Sequence, residues 1–203
     1  MDEDKQEIEM IDIQLLKSHP KNKEIYGQED IINLAESIKK NGLKNPLLVN
    51  QNNIIISGHR RTYACIYLGI KEVPIIRIEF KNENEELERL LLENEYREKT
   101  MTQKVEEGLM WEEIEKKKAK QRKIATQNNN KAKAEVDNVP QQAEQGKTRD
   151  IVSEKVDIGS GRTYERAKVA VIKINKLKQD GKEKDAEFLT TILNESVRGA
   201  KDI

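Results

Sequence analysis

Ile54-Ile55-Ile56-Ser57-Gly58-His59-Arg60-Arg61 joins an apolar strand to a doubly basic helix start through a small Ser-Gly turn. Three consecutive isoleucines favour extended backbone, and a Ser-Gly pair breaks it. Glycine lets the backbone approach a ligand closely, and the unpaired N–H groups of a first helical turn attract anions. Ser57, Gly58, His59, Arg60 and Arg61 therefore form a candidate phosphate pocket. The plainer alternative is a strand-to-helix turn that carries two surface arginines.

Working outward, Pro46 introduces a short strand, Leu47–Val49, and Gln51-Asn52-Asn53 turns it back into Ile54–Ile56 as a hairpin. Upstream, Ile8–Leu16 reads as a first strand, Ser18-His19-Pro20 as a loop, and 29–40 as a helix with Ile31, Ile32, Leu34, Ala35 and Ile38 on one face, closed by Asn41-Gly42. Downstream, a helix over Arg60–Leu68 ends at Gly69, Val73–Ile78 is a strand, and a long helix covers Glu83–Tyr96. The order strand, helix, hairpin, helix, strand implies a small α+β domain over residues 1–100. A helix over about Thr102–Arg122 makes 101–125 a connecting segment, and the Asn/Gln-rich stretch 126–146 reads as a linker. Residues 147–203 form an all-α region: a helix over Thr148–Val156, a tight turn at Asp157-Ile158-Gly159, a helix from Ser160 to about Leu177, and a last one over Asp185–Val197.

Composition narrows the function classes. Charged residues make up 36% and aromatic residues 4%, so the core must be lean and aliphatic. No apolar run approaches the roughly 20 residues that span a bilayer, and the N-terminus Met1-Asp2-Glu3-Asp4 lacks the features of a signal peptide; a cytoplasmic protein is expected. The single cysteine, Cys65, falls on an apolar helix face, and with only His19 and His59 as histidines no Cys/His metal cage is available. The 37 basic and 37 acidic residues cancel overall, but the second half carries the excess of Lys and Arg. Its block Lys116–Lys123 contains no acid and reads as a solvated helix end or a contact to phosphate backbone.

Two further clusters carry chemistry. On the long helix, Glu93, Asn94 and Arg97 are spaced three and four residues apart and share a face. They read either as a surface ion pair or as oxygen ligands for Mg2+ (Glu93, Asn94) beside a phosphate-binding fork (Arg97). The helix pair after the linker reads either as a helical hairpin with a cationic exposed face or as a helix-turn-helix whose second helix opens with Ser160, Arg162, Thr163, Arg166 and Lys168, preceded by Lys147 and Arg149. Recognition helices meet bases and phosphates through such N-terminal residues, so these seven are the candidate contacts to double-stranded DNA.

The strings Leu34-Ala35-Glu36-Ser37-Ile38, Gly42-Leu43-Lys44-Asn45-Pro46-Leu47-Leu48-Val49, Gly58-His59-Arg60-Arg61 and Glu93-Asn94-Glu95-Tyr96-Arg97 resemble, in this order, the N-terminal domain of the ParB chromosome-partitioning proteins, over about residues 8–110. The resemblance implies a mixed-sheet ParB/sulfiredoxin-like fold that binds CTP with Mg2+, followed by a DNA-binding helix-turn-helix. Carried over by position, Ser57–Arg61 and Arg97 would hold the nucleotide, and Glu93 and Asn94 the metal. It further implies a nucleoid-associated homodimer, a slow CTPase acting as a switch in chromosome or plasmid partition, and a partition ATPase as partner.

The chain departs from the family in having His59 where Glu is common, and its short remainder implies a missing or reduced C-terminal dimerisation domain. No catalytic residue is assigned. Two other readings use the same scaffold: a small-molecule kinase or phosphotransferase, and a helix-turn-helix transcriptional regulator that has lost its nucleotide. Sulfiredoxins carry a reactive Cys where this chain has Gly58, and free-serine kinases an Asp where it has Ser57, so the thiol nucleophile and the base of those enzymes are absent at these positions. The acidic cluster that a two-metal nuclease needs is likewise not found.

Overall fold

The computed structural model describes residues 7–27, 30–132 and 148–201, and the chain divides into two compact units, Met1–Arg97 and Glu98–Ile203. The first unit is built on a five-stranded mixed sheet of order β1-β5-β3-β4-β2, with β1 Ile8–Asp12, β2 Lys17–Ser18, β3 Leu47–Asn50, β4 Ile54–Ser57 and β5 Glu72–Ile78. The expected hairpin is present as antiparallel β3–β4, with Val49 opposite Ile55. Strand β3 also runs parallel to β5, and β1 pairs antiparallel with β5 at the edge. The first strand is shorter than the sequence pattern implies: after Asp12, whose side chain caps a single 3-10 turn at Ile13–Leu15, the chain crosses the sheet to become β2, parallel to β4.

Strand β3 is central, and all four of its residues are buried. One sheet face receives α2 (Ile32–Asn41) and α3 (His59–Tyr67), whose Ala35, Ile38, Ala64 and Cys65 close over Leu47, Val49, Ile55 and Ile75. The other face holds buried Leu48 and Ile56 with Leu90 and Leu91 of α4 (Glu83–Leu92), which packs on β4. Asn50 is buried at the hairpin turn, where its Oδ1 accepts from the N–H groups of Asn52 and Ile54, both at 2.8 Å. In place of the expected Ser18-His19-Pro20 loop, Ser18 ends β2 and Pro20 opens a further helix, α1 (Pro20–Tyr26). Proline at the first helical position costs no hydrogen bond, and the His19 ring supplies the cap.

The second unit is all-α: α5 Met101–Ala132, α6 Thr148–Lys155, α7 Gly161–Gln179, α8 Glu183–Glu195 and α9 Val197–Lys201. Helix α5 continues to Ala132, past the basic block and into the expected linker; the remainder of that linker, 133–146, lies outside the described residues. The Lys116–Lys123 block is thus helix interior, with Lys116 paired to Glu112 and Arg122 to Glu115. Helix α5 also buries carboxylates at Glu106, Glu107, Glu112 and Glu115. Each has a partner. Glu106 accepts from Asn175, Glu107 pairs with Lys99 at 2.8 Å, and Glu115 faces Lys155. Burial alone would raise the Glu112 carboxyl, but hydrogen bonds from Lys168, Lys116 and Tyr164 outweigh it and hold the group below the ordinary carboxylate range.

Helix α7 packs most closely on α5 at Gly108. The buried Tyr164 ring lies over Gly108, and its hydroxyl donates to Glu112 at 3.0 Å. A Cβ at Gly108 would stand 2.4 Å from Tyr164 Cε2, in a ring that cannot swing aside without breaking that bond. Gly108→Ala is therefore expected to destabilise the helical unit by about 1–3 kcal/mol despite the better helix propensity of alanine. Thermal unfolding followed by circular dichroism checks this: the melting temperature of the helical transition falls, and an unchanged or higher one refutes the packing account.

Candidate functional site

Strand β4 reaches α3 through Gly58, at φ 103° and ψ 20°, a left-handed conformation that L side chains rarely adopt. Space enforces the same choice, since a Cβ there would lie 2.6 Å from Leu47 Cδ2 and 3.2 Å from the Arg61 guanidinium carbon. No side chain caps the first turn of α3. The turn borders a cavity of about 280 Å³ lined by Ser57, Gly58, His59, Arg60 and Arg61 together with Asn22, Leu34, Asn94 and Arg97. All six residues assigned to the nucleotide from the sequence line this cavity.

The three arginines have different duties. Arg61 is a wall: its Nη1 donates to the carbonyls of Asn45 and Pro46, each at 2.8 Å, which fastens the loop between α2 and β3. Burial pulls its guanidinium pKa down while the nearby Glu93 charge opposes the shift, and it stays a cation. Arg60 is exposed and donates at 3.3 Å to the Asp30 carbonyl. Arg97 stacks over the Tyr26 ring of α1 at 4.1 Å, which fixes a planar fork beside the helix start.

His59 is buried, and its Nε2 accepts from the His19 backbone N–H at 3.2 Å. Burial, then His19 and Arg97, pull its pKa down to about 4, so the ring is neutral at pH 7. His19 is lowered as well, chiefly by burial. Its Nδ1 accepts from the Lys21 N–H, and its Nε2 faces Glu86 Oε1 at 3.4 Å. Glu86 in turn accepts from Asn50 at 2.8 Å. A chain of polar contacts thus runs from the hairpin turn to the cavity. His59 belongs to this framework as much as to any ligand.

The Glu93-Asn94-Arg97 cluster is not helical. Helix α4 stops at Leu92, and 93–97 form turns in which Arg97 N–H bonds Asn94 O. The turn brings Asn94 and Arg97 to the cavity but leaves Glu93 outside its lining, paired with Arg89 at 2.7 Å. Asn94 Nδ2 is spent on the Leu90 carbonyl at 2.9 Å, which orients the carboxamide. Among the described residues no group of three or more His, Cys, Asp or Glu could hold a metal. Of the two residues assigned to Mg2+ from the sequence, Asn94 lines the cavity and Glu93 does not.

Two lining residues were not singled out for the pocket in the sequence, Asn22 and Leu34. Leu34 reads there as core. Asn22, which is 5% exposed, sits in the first turn of α1; a His-Pro pair with proline at the first helical position was the signal for that helix.

In the helical unit, Asp157 and Gly159 take positive φ in the turn between α6 and α7, and Ser160 caps α7 by accepting from the Thr163 N–H at 3.2 Å. Ser160 and Thr163 hydroxyls also bond each other. Arg162 and Arg166 are exposed on one face of α7, while Lys168 turns to Glu112 at 2.6 Å and so leaves that face. Arg149 lies 3.5 Å from Asp150, and Lys147 is outside the described residues. Among the described residues, no helix is long and apolar enough to cross a membrane.

Comparison with known proteins gives one consistent family. The family model of the ParB N-terminal domain matches residues 1–95. A probable chromosome-partitioning protein ParB of Treponema pallidum is 33% identical over 98 residues, 46% of this chain and 30% of that protein. The ParB-like nuclease domain-containing protein YnaK of Escherichia coli is 36% identical over 64 residues, 32% of this chain and 74% of that protein. A solved pNOB8-like ParB N-domain superposes with a TM-score of 0.52 at 18% identity, covering 96% of this chain and 91% of that one, which is a likeness of fold. The matched segment spans about 30% of the length of the chromosome-partitioning ParB relative.

Two outcomes follow from the geometry. Gly58→Ala must both leave the left-handed region and displace Leu47, so it is expected to cost about 2 kcal/mol or more in urea unfolding; a neutral result contradicts the turn geometry. The unfolded His59 ring takes a proton below 6.5, the folded one only near 4, so stability falls as pH drops from 6.5 to 4. The loss is on the order of 3 kcal/mol. Unfolding midpoints across that range check it, with His59→Asn expected to flatten the slope and an unchanged slope excluding His59 as its source.

Proposed function

The chain belongs to the ParB family through its N-terminal domain, and from that membership we propose that it is a DNA-binding partitioning or regulatory factor whose N-terminal domain binds CTP with Mg2+. The single observation that carries the nucleotide half is the convergence of the uncapped α3 start, Arg60, Asn94 and Arg97 on one cavity. Uncapped N–H groups and two arginine forks suit a polyphosphate. Cytidine as the base comes from the family resemblance. When bound, Mg2+ would neutralise part of the phosphate charge; Asn94 would orient it. Residues 1–100 are then the nucleotide domain.

For residues 147–203 the reading is a helix-turn-helix in which α7 meets double-stranded DNA. Arg162 and Arg166 supply the exposed cations, and the Ser160 cap sets the helix start. Lys168 is left out of this surface because its charge is spent on Glu112. A homodimer and a partition ATPase partner belong to the same reading, as does a cytoplasmic, nucleoid-associated place. The neutral, framework-bound His59 favours one alternative, a regulator that has lost its nucleotide.

Titration of labelled CTP, ATP and GTP with Mg2+ onto the full chain tests the first half. CTP is expected to bind saturably, and Arg60→Ala to weaken it by ~10-fold or more. Tight DNA binding that ignores every nucleotide would instead favour the regulator. For the second half, Arg162→Ala with Arg166→Ala is expected to weaken DNA binding and to reduce the slope of log K against log salt by about 2. Unchanged affinity and slope remove α7 from the interface.

A further inference from the structure

From Ser37 to Lys71 the chain carries Lys39, Lys40, Lys44, Arg60, Arg61 and Lys71 but no Asp or Glu, although 37 of the 203 residues are acidic. The stretch is bounded by Glu36 and Glu72 and contains the second half of α2, the loop to β3, the hairpin and all of α3. Lys39, Lys40, Lys44 and Lys71 are exposed, as is Lys17 on the edge strand β2, and among the described residues none of these five is paired with a carboxylate. Cations with so little opposing charge make a surface complementary to a polyanion.

Helix α3 adds aromatic rings to that charge. It buries Thr62, Ala64 and Cys65 and leaves Tyr63, Ile66 and Tyr67 outward, at 44%, 54% and 70% exposure. Spacings of three and four put these three on one face of the helix. Two contacts bring cations to it. The Tyr63 and Ser18 hydroxyls lie 2.9 Å apart, which sets β2, and Lys17 with it, along the flank of α3. Arg61 donates to the Asn45 carbonyl at 2.8 Å, which holds the loop bearing Lys44 against the same helix. Exposed rings among cations suit a strand whose bases stack while its phosphates follow the lysines. An acidic peptide would use the lysines and leave the rings idle. A duplex keeps its base faces stacked on one another and offers none to a tyrosine.

We propose that the outer face of α3, flanked by Lys17 and Lys44, binds single-stranded nucleic acid, with Tyr63 and Tyr67 stacking on unpaired bases and the lysines on the phosphates. The surface is separate from the duplex contact assigned to α7. It also leaves Arg60 and Arg61 to the cavity, so it stands or falls without the nucleotide.

The test uses the full chain carrying Arg162→Ala and Arg166→Ala, which removes the exposed arginines of α7, titrated onto a labelled oligothymidylate of about 16 nucleotides, enough to cover one such surface. Saturable binding is expected, with ultraviolet cross-links from thymine to the α3 segment that holds Tyr63 and Tyr67. Tyr67→Ala is expected to weaken binding about 5-fold or more and Tyr67→Phe to preserve it. With Tyr67 exposed, either substitution leaves the core untouched. Lys17→Gln with Lys44→Gln is expected to reduce the slope of log K against log salt by about 1. Unchanged affinity in Tyr67→Ala overturns the inference, as does a duplex of the same sequence that binds as tightly as the single strand. Polyglutamate that competes at equal charge overturns it too, and makes the face a surface for acidic proteins. Absence of saturable binding overturns it outright, while the readings of the cavity and of α7 keep their own tests.

Discussion

The left-handed turn at Gly58 is the constraint on which the first unit depends. Strand β4 must end, reverse its backbone hand for one residue and begin α3, in a space where a methyl group would strike Leu47. The α3 wall of the cavity is placed by that turn: the uncapped helix start, the outward Arg60, and the inward Arg61 that braces the α2–β3 loop through two carbonyls. Leu47 lies at the centre of the sheet, so the turn is coupled to the core itself. A local conformational choice thereby becomes a property of the whole domain.

Polar groups complete what the apolar core leaves open. The lean composition is reflected in buried and half-buried polar residues that bond one another: His59 to His19, His19 beside Glu86, Glu86 to Asn50. The helical unit repeats the device with four buried glutamates on α5, each matched by a lysine, an asparagine or a tyrosine. Such groups are costly to bury unpaired and nearly neutral when satisfied, so they fix register more than they add stability.

Much of this was legible in the sequence because period and punctuation agree there. The isoleucine runs, the Gln51-Asn52-Asn53 turn and Gly42 and Gly69 gave the hairpin and the flanking helices, and the Ser57–Arg61 turn gave one wall of the cavity. Helix α1 was hidden because Ser18-His19-Pro20 reads as a break, whereas the His19 ring and Pro20 together start a helix. The end of α4 was hidden for the opposite reason. Glu93 to Arg97 has good helix formers at ion-pair spacing, yet the chain turns after Leu92 so that Arg97 reaches Tyr26. Tertiary contact outweighed local propensity, and the turn moved Glu93 out of the cavity that spacing had assigned to it. Lys168 and the α5 carboxylates were illegible because charge on a helix reads as solvent-facing until its partner across the interface is known.

The central claim is that the Gly58 turn grips a nucleotide phosphate. A crystal structure of the full chain grown with CTP and Mg2+ tests it most directly. The account predicts triphosphate density against the backbone N–H groups that open α3, with Arg60 and Arg97 closing on its oxygens and the His19–His59 contact unbroken. Nucleotide bound elsewhere, or a Gly58 turn whose cavity stays free of it at saturating concentration, would contradict the account.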